Sequence, residues 1–82
     1  MTFYYDFENR RWHGRVHWPA GATTLNVELT DSHITRQFPA DLIFELRNGN
    51  TVAYIIEDKT NKRLSNLQHV ICKRLQEYAN SM

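Results

Sequence analysis

The sequence predicts an α+β fold: an antiparallel sheet of five to six short strands, built as hairpins, with one C-terminal amphipathic helix packed across one face. Three observations predict it. Leu64, Leu67, Ile71, Leu75 and Tyr78 recur at spacings of three and four, which lays one apolar stripe along a helix. Three upstream stretches alternate apolar and polar residues with the period of a strand. Asn48-Gly49 stands between two apolar runs, and that dipeptide tolerates the positive φ of a tight hairpin turn.

The elements follow in order. In Thr2–Phe7, Phe3, Tyr5 and Phe7 share one side while Tyr4 and Asp6 share the other. Glu8-Asn9-Arg10-Arg11 is a polar break suited to a hairpin connection. From Trp12 to Trp18 the alternation resumes, with Trp12, Gly14, Val16 and Trp18 on one face and His13, Arg15 and His17 on the other. Pro19-Ala20-Gly21 ends that strand, because Pro cannot donate to a continuing ladder. Thr23–Leu29 points Leu25, Val27 and Leu29 inward. Thr30-Asp31-Ser32 is a turn cluster, and His33–Phe38 reads as a short fourth strand with Ile34 and Phe38 on one face.

Leu42–Leu46 admits two readings. Asp41 could cap a helical turn. The Asn-Gly that follows favours a strand, with Thr51–Glu57 as its hairpin partner. Val52-Ala53-Tyr54-Ile55-Ile56 is apolar on both faces, which points to the most central strand or to one covered on both sides. Thr60 or Asn61 is placed to cap the helix of residues 62–80. On its far side Lys62, Asn66, His69, Lys73 and Gln76 are expected to stay wet, with Gln68 and Arg74 flanking the stripe.

The 82 residues leave space for one domain over 1–82, with strands within about 2–57. A net charge of +1 does not by itself call for nucleic acid or membrane as partner. With one cysteine, Cys72, no intrachain disulfide can form. The first residues lack a basic segment followed by an apolar run, and no stretch reaches the ~18 apolar residues of a membrane span. The expected location is the cytoplasm.

The constellations that could carry chemistry are weak. His13 and His17 stand four apart, but on a strand that separates the imidazoles by about 13 Å, too far for one metal ion. His69 and Cys72 pair a thiol with an imidazole three residues apart, yet mid-helix nothing activates the thiol. The carboxylates are scattered, and no phosphate loop, dinucleotide fingerprint or nucleophile elbow occurs. The expectation is a non-enzymatic protein without cofactor, metal or small-molecule substrate.

Two basic groupings remain: Arg10, Arg11, His13, Arg15 and His17, interleaved with tryptophans, and Lys59, Lys62 and Arg63, continued by Lys73 and Arg74. Nine acids offset them. The leading expectation is a small interaction or adaptor module that works by protein–protein contact and could pair with a second copy through an edge strand. The alternative is a module for RNA or single-stranded DNA that uses these basic groups with the aromatic residues. An enzyme ranks third. Convergence of the two basic groups on one side would favour nucleic acid; their separation, with an apolar patch exposed elsewhere, would favour a protein partner.

Overall fold

The computed structural model describes residues 2–81. Its elements are β1 (Thr2–Phe7), β2 (Arg10–His17), β3 (Thr24–Leu29), α1 (Ser32–Thr35), β4 (Asp41–Arg47), β5 (Thr51–Ala53) and α2 (Lys62–Ser81). The strands form one antiparallel sheet in the order β1-β2-β3-β4-β5. The sheet curls, and α2 packs against both of its outermost strands, β1 and β5.

Local chemistry explains the turns. Glu8 and Asn9 both take positive φ, 51° and 62°, and so form a two-residue loop that matches the right-handed twist of β1 and β2. Asn48 and Gly49 also take positive φ, 51° and 88°, in the three-residue loop 48–50 that joins β4 to β5. The Asn-Gly signal therefore selects the strand reading of residues 41–47 over the helical one. At the start of α2, the Asn61 side chain accepts a hydrogen bond from the Leu64 backbone N–H at 3.1 Å, which caps the first turn.

Alternation sorts the strands into two faces. Phe3, Tyr5, Phe7, Trp12, Val16, Leu25, Val27, Leu29, Leu42, Phe44 and Val52 are buried on the face that meets α2. From α2 come Leu64, Leu67, Ile71, Leu75 and Ala79, all buried; Tyr78 is half-buried at the edge of the stripe. Gly14 has a packing reason. A Cβ there would lie 2.8 Å from the Glu28 carbonyl oxygen and 3.2 Å from the Phe3 ring, its cross-strand partner. The missing side chain lets β2 approach β3 while the Phe3 ring covers the gap.

Two expectations are corrected. His33–Phe38 is not a strand. Asp31 accepts from the His33 N–H at 2.9 Å and caps the single turn α1, and the chain behind it carries Phe38 into an edge-on contact with Phe7 at 5.8 Å. The sheet accordingly has five strands. The second correction concerns Thr51–Glu57. Only Thr51–Ala53 pairs as β5, and β5 is an edge strand, not the central one. Val52 serves the core from it and Tyr54, just past its end, packs against the core half-buried, while Ile55 and Ile56 are 73% and 44% exposed.

Edge position leaves the outward backbone groups of β5 without a neighbouring strand, and α2 supplies the missing partners from its side chains. Gln76 accepts from the Val52 N–H at 2.8 Å and donates to the Asn50 carbonyl at 2.7 Å. The Cys72 thiol donates to the Val52 carbonyl at 3.4 Å. Gln68 donates to the Ile55 carbonyl at 3.0 Å and accepts from the Glu57 N–H at 3.4 Å. These three residues, spaced by four, form a ladder along one flank of the helix that replaces a sixth strand. Gln76, expected to stay wet, is therefore half-buried and holds backbone, and Gln68, expected to flank the stripe, is 1% exposed and does the same.

Candidate interaction surfaces

The face of the sheet turned away from α2 is open. Tyr4, Asp6, Arg11, His13, Arg15, His17, Asp41 and Ile43 are exposed there, with Asn26, Glu28 and Glu45 half-buried between them. Cross-strand registry decides its electrostatics. Arg11 lies opposite Asp6, with Nε 3.2 Å from the carboxylate. Arg15 lies opposite Glu28, which in turn lies opposite Asp41. The His17 imidazole is 3.8 Å from the Glu28 carboxylate, and Arg47 pairs with Glu45 at 3.0 Å. Three arginines thus face four carboxylates across this surface, so β2 does not build a cationic field. The His13 ring rests against Tyr4 at 5.7 Å between centroids.

Arg10 differs from its neighbours. It sits at the hairpin end with its guanidinium 4.5 Å from the centre of the Trp12 ring. Trp12 is buried and its indole N–H donates to the Phe7 carbonyl at 3.0 Å, so the ring belongs to the core and offers no base-stacking platform.

The second basic group belongs to the α2 layer, on the other side of the sheet. Arg63 is committed to structure. Its guanidinium forms a two-pronged pair with Glu8 at 2.9 and 2.6 Å, donates to Gln37 at 2.9 Å and covers the Phe38 ring at 5.2 Å. This fork ties the first turn of α2 to the β1–β2 loop. The Arg63 hydrogen bond holds the Glu8 carboxyl below its ordinary range. Arg74 donates to the Tyr4 carbonyl at 2.8 Å and to Glu77 at 2.6 Å. Lys59, Lys62 and Lys73 are exposed. The two groups approach each other at the β1–β2 hairpin, where Arg10 flanks the loop whose Glu8 holds Arg63, and at the β1 edge, where Arg11 and Arg74 line one recess with Tyr4, Tyr5, Asp6 and Glu77.

Apolar exposure gathers elsewhere. Ile43 is 52% exposed on β4, and with Glu45, Tyr54, Ile55 and Glu57 it lines a shallow recess of about 160 Å³ beside the β5 edge. Nothing in the residue types marks these isoleucines as a surface, because an apolar run after a hairpin signal resembles a buried strand.

Among the described residues, no group of three or more His, Cys, Asp or Glu side chains is placed to hold a metal ion. Burial pushes the Cys72 thiol up, away from the thiolate form, and its hydrogen goes to the Val52 carbonyl. His69 points into solvent. Burial, aided by Asp31, pushes the Tyr5 hydroxyl up to about 12, and that hydroxyl has no hydrogen-bond partner among the described residues. Among the described residues, no helix is long and apolar enough to cross a membrane.

Fold and surfaces together define a five-stranded antiparallel meander curled around one helix, with one sheet face open. No family model, curated protein or solved structure matches the chain.

Proposed function

We propose that this chain is a small non-enzymatic interaction module that acts by protein–protein contact. The observation that carries the reading is the pairing of the basic groups with carboxylates combined with the apolar exposure. Where basic residues of the two groups come near each other, Arg11, Arg63 and Arg74 are already engaged by carboxylates. A nucleic-acid surface needs cations collected on one face to neutralise successive phosphates. Ile43 and Ile55 instead expose aliphatic side chains in a recess shared with Glu45 and Glu57, and Ile56 is exposed next to them in the chain. An apolar centre with a polar rim is the composition of a protein contact.

The test places a photo-crosslinking amino acid at Ile43 or Ile55 in the expressed chain, with His69 on the exposed side of α2 as control. The expected result is a discrete adduct at Ile43 and Ile55 that protease removes and nuclease leaves intact, and that is absent at His69. Adducts removed by nuclease, or no adduct at either isoleucine, would overturn the reading. A second copy of this chain as the captured partner would identify self-association.

A further inference from the structure

The fold treats its two sheet edges differently. The β5 edge is covered by the Gln68, Cys72 and Gln76 ladder. The β1 edge has no such cover. Phe7 and Arg10 flank the two-residue loop, and residues in that position exchange both ladder hydrogen bonds. Alternation along the strand then turns Phe3 and Tyr5 toward β2 and leaves the backbone of Thr2, Tyr4 and Asp6 facing outward. The Arg74 contact with the Tyr4 carbonyl agrees with that direction. Among the described residues, Arg74 is the one side chain that reaches this outward backbone.

Beside this edge lies a groove. Two adjoining recesses, about 230 and 280 Å³, share Tyr5, Asp6, Arg74 and Glu77. The second extends to Val70 and Lys73 on α2. A strand laid along β1 would sit about 4.8 Å from it and turn alternate side chains toward Val70 and the Lys73–Glu77 turn.

We propose that the outer edge of β1, with the groove against α2, receives an extended segment of a partner polypeptide by strand addition. The inference rests on the reading of the chain as a protein-binding module but uses a surface separate from the isoleucine patch. The outward N–H and C=O groups specify a β-strand as the occupant, because only a strand repeats donors and acceptors at their spacing. A whole second copy fits poorly: α2 packs against β1, so each copy would bring its helix to the same seam. Pairing replaces the Arg74 Nε–H on the Tyr4 carbonyl with a backbone N–H from the incoming segment. Arg74 keeps its pair with Glu77, and its freed Nε–H, with Lys73, faces a carboxylate side chain on the segment.

The probe is a phage-displayed library of random linear peptides, panned against the full chain; selected peptides are then synthesised and titrated. Tyr4→Pro removes the outward N–H without removing a β1–β2 ladder bond, whereas Tyr4→Ala removes only the ring. The expected result is that selected peptides carry an acidic residue and slow hydrogen exchange at the Tyr4 and Asp6 amides of the unmodified protein. Affinity falls about tenfold in Tyr4→Pro, the scale of one backbone hydrogen bond, and much less in Tyr4→Ala. The exchange measurement needs no variant, so misfolding of Tyr4→Pro would not spoil the test. Equal binding to Tyr4→Pro and Tyr4→Ala, unchanged exchange at Tyr4 and Asp6, or failure to select any peptide overturns strand addition. Peptides that perturb Ile43 and Ile55 instead overturn it while leaving the module reading intact.

Discussion

A chain ending at Asn61 should show no cooperative thermal unfolding. Leu64, Leu67, Ile71 and Leu75 are each at most 4% exposed. Full burial of such a side chain is worth about 1.5–3 kcal/mol, so the four together supply on the order of 8 kcal/mol before chain entropy is counted. A domain of ordinary stability has about 5–15 kcal/mol in total. Loss of α2 would also uncover Phe44, Leu25 and Val27 on the sheet and strip the β5 edge of its hydrogen-bond partners. Circular dichroism on heating is the measurement. A sharp sigmoidal transition in the truncated chain would contradict the role assigned to the helix.

Gly14→Ala should destabilise the protein by about 1–3 kcal/mol, the usual cost of forcing a methyl group into a filled interior. The nearest obstacle is a backbone atom, the Glu28 carbonyl oxygen, 2.8 Å from the new Cβ. A side chain could rotate aside; here β3 itself must shift, and β3 is the central strand. The Phe3 ring, at 3.2 Å, must give as well. His13→Ala, one residue away on the open face, is the control and should stay within about 0.5 kcal/mol. Urea denaturation of both variants checks the contrast. Equal stability of Gly14→Ala and the unmodified chain would mean that the sheet is less tightly curled at this point.

Much of this architecture is legible in the residues, and the exceptions have physical causes. β1, β2 and β3 each carry a clean period of two with one buried face, and no other element imitates that over six residues. The stripe of α2 is equally distinct. α1 escapes because Ile34 and Phe38 are four apart, a spacing that satisfies a strand face and a helical turn alike. The arbiter was Asp31, whose side chain captures the His33 N–H. β5 was misplaced because apolarity on both faces can mean burial on both sides or, as here, a core-facing Val52 followed by exposed isoleucines. The sealing of its edge was invisible from β5 itself. Its signature lies in α2, where Gln68, Cys72 and Gln76 repeat at four-residue spacing beside the apolar stripe. A glutamine amide can donate and accept at once, which is what an exposed strand edge requires.

The open sheet face shows the opposite limit. Residue types identified His13, Arg15 and His17 as sharing a side, but not the carboxylates that β3 and β4 would set beside them. Registry determines whether neighbouring cations add or cancel, and registry with β3 and β4 depends on loops whose geometry residue types describe only loosely.

Native-state hydrogen exchange at the Val52 amide tests the central claim most directly, namely that α2 both roofs the inner face and closes the β5 edge. Val52 lies in a three-residue edge strand, where an outward N–H would ordinarily exchange fast. With Gln76 holding it, the Val52 amide should exchange as slowly as the Ile71 amide in the middle of α2, while Tyr4 and Asp6 on the uncovered edge exchange quickly. A Val52 amide as fast as that of Asp6 would contradict the account.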